Sequence, residues 1–174
     1  MTVQRTYSPV HQDPCPARMT CQPAEVSRER KNIRMSKFAV VYWSGTGNTE
    51  AMAQAVEEGL KGKGADVALF TAADFAAEDP ASYDGIAFGC PAMGAENLEE
   101  TEFQPMWDAV KDQLKGKKIV LFGSYGWGSG EWMESWKADA EAAGAVLAAD
   151  PLILNGTPDD GGLAQCKALG EALA

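Results

Sequence analysis

Hydrophobic residues along this chain fall into two alternating patterns. Short, uninterrupted apolar runs of strand length are separated by stretches in which apolar residues recur every three or four positions, as on one face of a helix. The runs predict five strands, at residues 38–43, 67–70, 84–90, 117–122 and 146–154. Pro151 interrupts the last of them, which is typical of a strand at the edge of a sheet.

Amphipathic helices are predicted between and after these strands. The first begins directly after the glycine turn at residues 44–49, and Thr101 with Gln104 has the spacing of a capping box at the start of the second. Residues 71–82 are polar and are predicted to form turns. The apolar faces of the helices are Met52, Ala55, Val56, Gly59 and Leu60, then Phe103, Met106, Trp107, Val110 and Leu114, then Trp132, Met133, Trp136, Ala140 and Ala143, and finally Leu163, Cys166, Leu169 and Leu173.

The strand runs are too uniformly apolar to leave a face of the sheet in water. With helices alternating between them, they predict an α/β fold in which helices cover both faces of a parallel sheet through right-handed crossovers. The turns after the first, third and fourth strands, residues 44–49, 91–97 and 124–130, must then share one edge of the sheet. Ligands of such sheets bind at that edge, where the strand order reverses.

The first of these turns has the composition of a phosphate site. Glycines and hydroxyl residues stand between a buried strand and a helix, where backbone N–H groups and the helix dipole attract an anion. No Lys or Arg occurs between Phe38 and Leu60. One phosphate monoester suits this turn better than a triphosphate with its magnesium ion.

The other two turns carry side chains suited to a flat ring. Trp127 lies between Gly126 and Gly128 instead of on a helical or strand stripe, so we expect its face to be exposed and to need a partner. Met93, which fills gaps when it lies in a core, could cover the opposite face of a planar ring from the second turn.

Charge is divided unevenly along the 174 residues, which suffice for one domain. Residues 1–34 carry six Lys/Arg and three Asp/Glu, whereas residues 35–174 carry nine and twenty-two, a net of −13. Such an acidic domain repels nucleic acid and anionic membranes. Its charge either favours basic partners or serves only solubility. No apolar run approaches the roughly 20 residues of a membrane span.

Cysteine and histidine usage excludes several kinds of site. The four cysteines form no C-x-x-C pair, which argues against zinc and a disulfide framework and points to the reducing cytoplasm. His11 is the only histidine. Ser-His-Asp or Cys-His catalysis and histidine-ligated metals are therefore excluded from residues 35–174.

Residues 1–34 contain four prolines and scattered arginines without apolar periodicity. They also lack the apolar segment of a secretory signal. We interpret them as a disordered extension or, preferably, as upstream sequence translated from a misassigned start, because Met35 directly precedes the first strand. In either case, no packed structure is expected there.

Three segments resemble flavodoxins, specifically the short-chain type of anaerobic bacteria. They are Tyr-Trp-Ser-Gly-Thr-Gly-Asn-Thr-Glu at 42–50, Gly-Cys-Pro-Ala-Met-Gly at 89–94 and Phe-Gly-Ser-Tyr-Gly-Trp-Gly at 122–128. The resemblance extends over residues 35–174 and implies a doubly wound, five-stranded parallel sheet in the order 2-1-3-4-5. It also implies a cytoplasmic, monomeric electron carrier and not an enzyme. The carrier would bind FMN non-covalently and cycle it between semiquinone and hydroquinone at low potential. The acidic domain would disfavour the anionic hydroquinone.

Matching positions imply roles for individual residues. The first turn would bind the FMN phosphate, Met93 and Trp127 would sandwich the isoalloxazine, and Glu96 would accept a hydrogen bond from its pyrimidine edge. The peptide joining Met93 to Gly94 would flip upon one-electron reduction. The full set implied to bind FMN is Ser44, Gly45, Thr46, Gly47, Asn48, Thr49, Pro91, Ala92, Met93, Gly94, Glu96, Ser124, Tyr125, Gly126, Trp127 and Gly128.

This chain departs from the family pattern at two positions. Pro91 replaces a hydroxyl that many relatives have, and Ala95 replaces a more usual polar residue, which leaves only its backbone for the flavin. Asn155, at the end of the fifth strand, is a weaker candidate for the pyrimidine rim. An acidic cluster follows the second turn and comprises Glu99, Glu100, Glu102, Asp108 and Asp112. It is either a solvated helix face or a docking surface for basic redox partners, which would be ferredoxin/flavodoxin-type oxidoreductases.

Three other functions fit this sequence less well. A nicotinamide Rossmann enzyme is disfavoured because Glu50 stands in place of the third glycine of its fingerprint. A phosphoacceptor signalling domain would need acidic residues at the ends of the first and third strands, where this chain has Tyr42-Trp43 and Gly89-Cys90. The remaining alternative is an FMN-dependent NAD(P)H:quinone-type reductase, for which this chain leaves little room for a nicotinamide pocket.

Overall fold

The computed structural model describes residues 35–174, so the predictions for residues 1–34 and His11 lie outside the described residues. The strands are β1 Lys37–Tyr42, β2 Asp66–Thr71, β3 Gly85–Gly89, β4 Lys118–Tyr125, β5 Val146–Leu147 and β6 Leu152–Asn155. The helices are α1 Asn48–Gly62, α2 Ala72–Phe75, α3 Phe103–Val110, α4 Glu131–Ala142 and α5 Asp160–Leu173. Short 3₁₀ turns cover Pro80–Ser82 and Lys111–Gln113. Among the described helices, none has the length and apolarity needed to cross a membrane.

All strand pairs are parallel, and the sheet order is β2-β1-β3-β4-β5, as expected. The predicted fifth strand is divided into two segments, and both pair with β4: Ile119 aligns with Leu147, and Phe122 aligns with Leu152. The division contains Pro151, which has no N–H for the ladder. Five strand positions therefore hold six strand segments in this part of the chain.

Both faces of the sheet are buried, which explains why its strands are apolar without alternation. One core lies under α2, α3 and α4 and includes Phe88, Trp107 and Trp136. The other lies under α1 and α5 and includes Val40 and Phe122. The apolar faces predicted for α1 and α3 are buried throughout.

Helices α1 and α5 touch backbone to backbone through two glycines. A Cβ atom on Gly59 would lie 2.1 Å from the carbonyl oxygen of Lys167, and one on Gly170 would lie 2.2 Å from that of Val56. No side chain fits at either position. The two helices therefore approach more closely at this crossing than a side chain at either position would allow.

Two local predictions are corrected by the structure. Residues 71–82 are not only turns, because Thr71 caps the short helix α2, which buries Phe75 completely. Thr101 does not cap α3, which begins at Phe103. The carboxylate of Glu99 does so instead, by accepting hydrogen bonds from the backbone N–H groups of Glu102 and Phe103 at 2.8 and 2.9 Å.

Candidate functional site

A cavity of about 380 Å³ opens at the carboxyl ends of β1, β3 and β4. This volume is within the range of small-molecule sites, and the strand order reverses beside it. No charged side chain lines it. Its lining residues are Trp43, Gly45, Thr46, Asn48, Pro91, Ala92, Met93, Ser124, Tyr125, Gly126, Trp127 and Gly156.

One end of the cavity presents the N-terminus of α1. Gly47 precedes the helix with φ +89 and supplies no side-chain cap, and its own N–H donates to Ser44 Oγ at 3.0 Å. The backbone N–H groups of Thr46 and Asn48 donate to no acceptor among the described residues. Unpartnered donors at a helix N-terminus are suited to a phosphate, and the uncharged lining provides no cation to replace them; phosphate binding here stays a prediction.

The other end is bounded by two side chains that can stack on a ring. Met93 begins a small hairpin: it exchanges backbone hydrogen bonds with Asn97 of 2.9 and 2.8 Å. Trp127 is 51% exposed although it lines the cavity. Tyr125 is held from behind by Trp132, with ring centroids 5.6 Å apart. The structure thus brings Met93 and Trp127 to one cavity and leaves the tryptophan face available, as expected.

Thr49 is not among the lining residues, although it was predicted to bind phosphate. Its side chain is buried, and its Oγ1 lies 3.1 Å from Ser124 Oγ. Only its backbone N–H, in the first turn of α1, remains for an anion at the cavity end. Ser44 and Gly47 also do not line the cavity, and they shape the turn through their own hydrogen bond.

Glu96 is outside the cavity lining as well. Its Oε1 accepts hydrogen bonds from the backbone N–H groups of Ser129 and Gly130, both at 2.8 Å. The Glu96 carboxylate also packs against Gly128, another predicted cofactor ligand: a Cβ on Gly128 would lie 2.1 Å from Glu96 Oε1. In the structure as described, the glutamate therefore binds the third loop.

Gly94 has φ +52, a backbone conformation that favours glycine, and an added Cβ would meet no atom within 4 Å. It lies in a neighbouring groove and not in the main cavity lining. The carbonyl of Met93 accepts the hydrogen bond from Asn97, so a flip of the peptide between Met93 and Gly94 would break that bond. The carbonyl of Gly94 accepts no hydrogen bond among the described residues.

Two lining residues were missed by the sequence reasoning. Trp43 ends the first apolar run and packs over Gly45, where a Cβ would come within 3.0 Å of the indole. Gly156 donates its N–H to the carbonyl of Tyr125 at 2.8 Å, which places it beside the cavity, whereas its neighbour Asn155 pairs with Tyr125 in the sheet and is not among the lining residues. The position of Trp43 directly before the glycine turn was a usable signal, and Gly156 gave none.

Buried hydrogen bonds at Cys90 hold the start of the second loop in place. Cys90 accepts the N–H of Glu99 at 3.4 Å and, through its carbonyl, the indole N–H of Trp132 at 3.3 Å. Burial raises the pKa of the Cys90 thiol to about 12, so it stays protonated and unreactive. Both described cysteines, Cys90 and Cys166, are buried and unpaired by disulfides.

Glu99 is a buried carboxylate, with 5% of its surface exposed. Burial alone would raise its pKa, but hydrogen bonds from the Thr101 side chain and from the backbone of Phe103, Glu102 and Thr101 outweigh it and hold the pKa below its usual value. Glu99 therefore has to be removed from the predicted acidic docking surface. The hydrogen bond from Lys111 lowers the pKa of Asp108, which leaves Glu100, Glu102 and Asp112 as exposed members that form no ion pair among the described residues.

Comparisons with known proteins agree with this geometry. The family model described as Flavodoxin matches residues 40–170. A flavodoxin from Megasphaera elsdenii is 50% identical over 135 residues, which cover 78% of this chain and 96% of the relative. A flavodoxin from Clostridium beijerinckii is 42% identical over 121 residues, which cover 70% of this chain and 88% of the relative.

Solved structures give the same result for the fold. The solution structure of two-electron reduced Megasphaera elsdenii flavodoxin superposes with a TM-score of 0.72, covering 78% of this chain and 97% of that chain at 50% identity. A flavodoxin from the domain Archaea has a TM-score of 0.69 at 30% identity and covers 79% of this chain and 95% of its own. Both are similar to this chain over nearly their whole length.

Proposed function

The chain belongs to the flavodoxin family and is an FMN-binding electron carrier, and from this premise we propose which residues hold the FMN and how they tune it. The observation that carries the proposal is the uncharged cavity of about 380 Å³ between an uncapped helix N-terminus and the pair Met93 and Trp127. One end suits a single phosphate group and the other a flat aromatic ring, and FMN joins these two groups in one molecule.

We propose that the phosphate is held by dipoles alone. The backbone N–H groups of Thr46 and Asn48 are unpartnered among the described residues, and both residues line the cavity. The Thr49 hydroxyl acts indirectly, because its hydrogen bond to Ser124 fixes the turn against β4. A phosphate bound by neutral donors adds its full negative charge to the acidic domain, which carries −13 over residues 35–174.

FMN, when bound, would supply one-electron chemistry that includes a proton at N5. Met93 and Trp127 restrict the ring between them, and the half-exposed Trp127 leaves an edge open toward a partner. The carbonyl of Gly94, which accepts no hydrogen bond among the described residues, is the acceptor most free to turn toward that proton. The peptide joining Met93 to Gly94, to which the resemblance assigns this role, is less free to turn, because its carbonyl, that of Met93, accepts the N–H of Asn97.

Negative charge in the domain works against adding further negative charge to the ring. A partly screened charge about 10 Å away contributes on the order of 1 kcal/mol. Because about 59 mV corresponds to a tenfold change in a one-electron equilibrium, several such charges lower the second reduction potential substantially. We therefore propose a low-potential carrier. Flavodoxins transfer electrons to redox partners, and we propose that the partners of this chain present basic surfaces to Glu100 and its exposed neighbours.

We also propose that the protein acts as a monomer in the cytoplasm. Buried, unpaired Cys90 and Cys166 are compatible with a reducing compartment. The NAD(P)H:quinone-type reductase is not favoured, because the similar proteins reported above are named flavodoxins.

The proposed function is tested by the visible spectrum of the purified full-length chain during stepwise reduction with dithionite. We expect extractable FMN in a one-to-one ratio and two separate one-electron steps, the second at low potential. NADPH without a reductase should leave the spectrum unchanged. Rapid bleaching by NADPH alone would instead identify a reductase, and a preparation that cannot be loaded with FMN would refute the proposed site.

A further inference from the structure

We infer that Glu96 is a positioning residue that clasps the second loop to the third and thereby sets the spacing between Met93 and Trp127 before any ligand binds. The identity of the ring that fills this space rests on the proposed function. The clasp itself is a contact within this chain.

The first support is the pair of hydrogen bonds from loop three. Glu96 Oε1 accepts the N–H groups of both Ser129 and Gly130 at 2.8 Å, and hydrogen bonds to a carboxylate are stronger than those between neutral groups. Gly130 precedes α4 and has no side chain with which to cap it. The carboxylate of Glu96, 34 residues earlier in the chain, therefore accepts the N–H of the N-cap residue at the positive end of the α4 dipole.

The second support is the backbone at Glu96. Its φ is +54, and it is the only residue other than glycine with a positive φ in the described part of the chain. A side chain with a Cβ is disfavoured in that region. The conformation is held on one side by the hairpin bonds between Met93 and Asn97, and on the other by the two bonds of the carboxylate.

The third support is the space at Gly128. A Cβ on this residue would lie 2.1 Å from Glu96 Oε1 and 2.4 Å from its carboxyl carbon. The absence of a side chain at Gly128 is therefore what admits the carboxylate to the backbone of loop three. Gly128 directly follows Trp127, so the clasp holds the loop immediately beside the stacking tryptophan.

These contacts connect the two sides of the cavity through short, rigid segments. Met93 is tied to Asn97, Asn97 follows Glu96, and Glu96 is tied to the residues after Gly128. A ring that enters between Met93 and Trp127 meets a space already formed, so less ordering opposes its binding. Neither of the two carboxylate hydrogen bonds of the clasp involves a residue of the turn at 44–49, where we propose that phosphate binds.

The experiment compares E96A, which removes the acceptor, with E96Q, which keeps an oxygen in its place, in the full-length chain freed of FMN. Glu100→Ala is the matched control, because Glu100 is exposed, lies in the next few residues and takes part in no hydrogen bond or ion pair of the described residues through its side chain. Hydrogen exchange of the Ser129 and Gly130 amides should accelerate about tenfold or more in E96A. It should stay near the wild-type rate in E96Q and in E100A.

A second measurement separates a local clasp from general destabilisation. In E96A, the dissociation constant for FMN should rise about tenfold, whereas that for inorganic phosphate at the α1 turn should change less than about twofold. Unchanged exchange at Ser129 and Gly130 in E96A would overturn the inference, as would an equal acceleration across the β-sheet amides. Failure of the wild-type chain to bind FMN would refute the proposed function, while the exchange result would still decide the clasp.

Discussion

Thr49 and Ser124 join the start of α1 to the end of β4 through a buried hydrogen bond. Their hydroxyl oxygens lie 3.1 Å apart, and only 1% and 5% of the two residues is exposed. Thr49 belongs to the first turn of α1, and Ser124 lies one residue before Tyr125 in β4. The turn for which we propose phosphate binding is thus attached to the strand that leads into the loop of Trp127.

This pair is open to a double-mutant cycle. Ser124→Ala leaves the Thr49 hydroxyl buried without its partner and should lower the free energy of unfolding by about 1–3 kcal/mol. T49V with S124A replaces both polar groups, so the double variant should lose less than the sum of the single losses. Urea unfolding of the four FMN-free proteins measures this, and strictly additive losses would show that the hydroxyls do not stabilise each other.

Trp127→Ala should affect binding more than folding. The side chain is 51% exposed without ligand, so the free energy of unfolding of the FMN-free chain should change by less than about 0.5 kcal/mol. The affinity for FMN should fall about tenfold or more, because a stacking partner is removed. Fluorescence titration with FMN gives the affinity. Val146→Ala, another exposed apolar site, is the control, and an equal loss there would contradict the role of Trp127.

Gly94→Ala tests the left-handed backbone of the second loop. No atom obstructs an added Cβ, so its effect comes from φ +52 alone and should lower the free energy of unfolding by about 1–2 kcal/mol. Gly62→Ala is the matched control, since its Cβ also meets nothing but its backbone is helical, and it should stabilise by roughly 0.5–1 kcal/mol. Thermal unfolding compares the two, and the same sign for both changes would contradict the prediction.

Glu99 should make the free energy of unfolding depend on pH in the acidic range. Its pKa is lower in the folded chain than the value near 4.3 expected when unfolded, so its contribution is present above that value and is lost as the pH falls toward the folded pKa. Glu99→Gln should therefore be less stable than the wild type at pH 7. The difference should shrink as the pH falls below about 4.3.

Urea unfolding at several pH values measures this difference. Glu100→Gln is the control: it removes the same charge at the adjacent, exposed position and should show little difference at any pH. A pH-independent effect of Glu99→Gln would show that the residue acts through packing and not through its charge.

The acidic surface should control how fast partners dock. Glu100 and Glu102 are exposed and lie beside the second loop, so the double variant E100Q/E102Q should slow reduction by a basic reductase at low salt. The difference from wild type should diminish as ionic strength rises. Glu58→Gln, on the exposed surface of α1 at the other face of the sheet, is the charge-matched control in stopped-flow measurements. A rate indifferent to salt would remove the docking role.

The strands, the helix faces and the meeting of the three loops followed from the sequence because they depend on periodicity and on parallel topology. Met93 and Trp127 reached one cavity for the same reason: strands that run together end together. The interruption at Pro151 was likewise local chemistry, since proline cannot donate to a sheet ladder.

The direction of individual side chains could not be predicted in this way. The spacing of Thr49 is right for a phosphate ligand, but whether its hydroxyl faces the cavity or Ser124 depends on a residue 75 positions away. The same holds for Glu99, whose capping role overrides the local pattern at Thr101, and for Glu96, whose partners lie in another loop. The bonds of Thr49 and Glu96 are tertiary, and the Glu99 cap, although local, places a glutamate where the capping-box pattern expects a threonine, so hydrophobic periodicity signals none of them.

The glycine contacts between α1 and α5 have a consequence for protein engineering. Because Gly59 and Gly170 admit the opposite backbone at about 2 Å from where a Cβ would stand, neither helix can be exchanged for one with larger residues at that crossing. The phosphate turn leads directly into α1 and so depends on this match. A chimera that transplants the turn together with α1 into a different scaffold would therefore have to include α5 as well. The first and last helices have to be exchanged together.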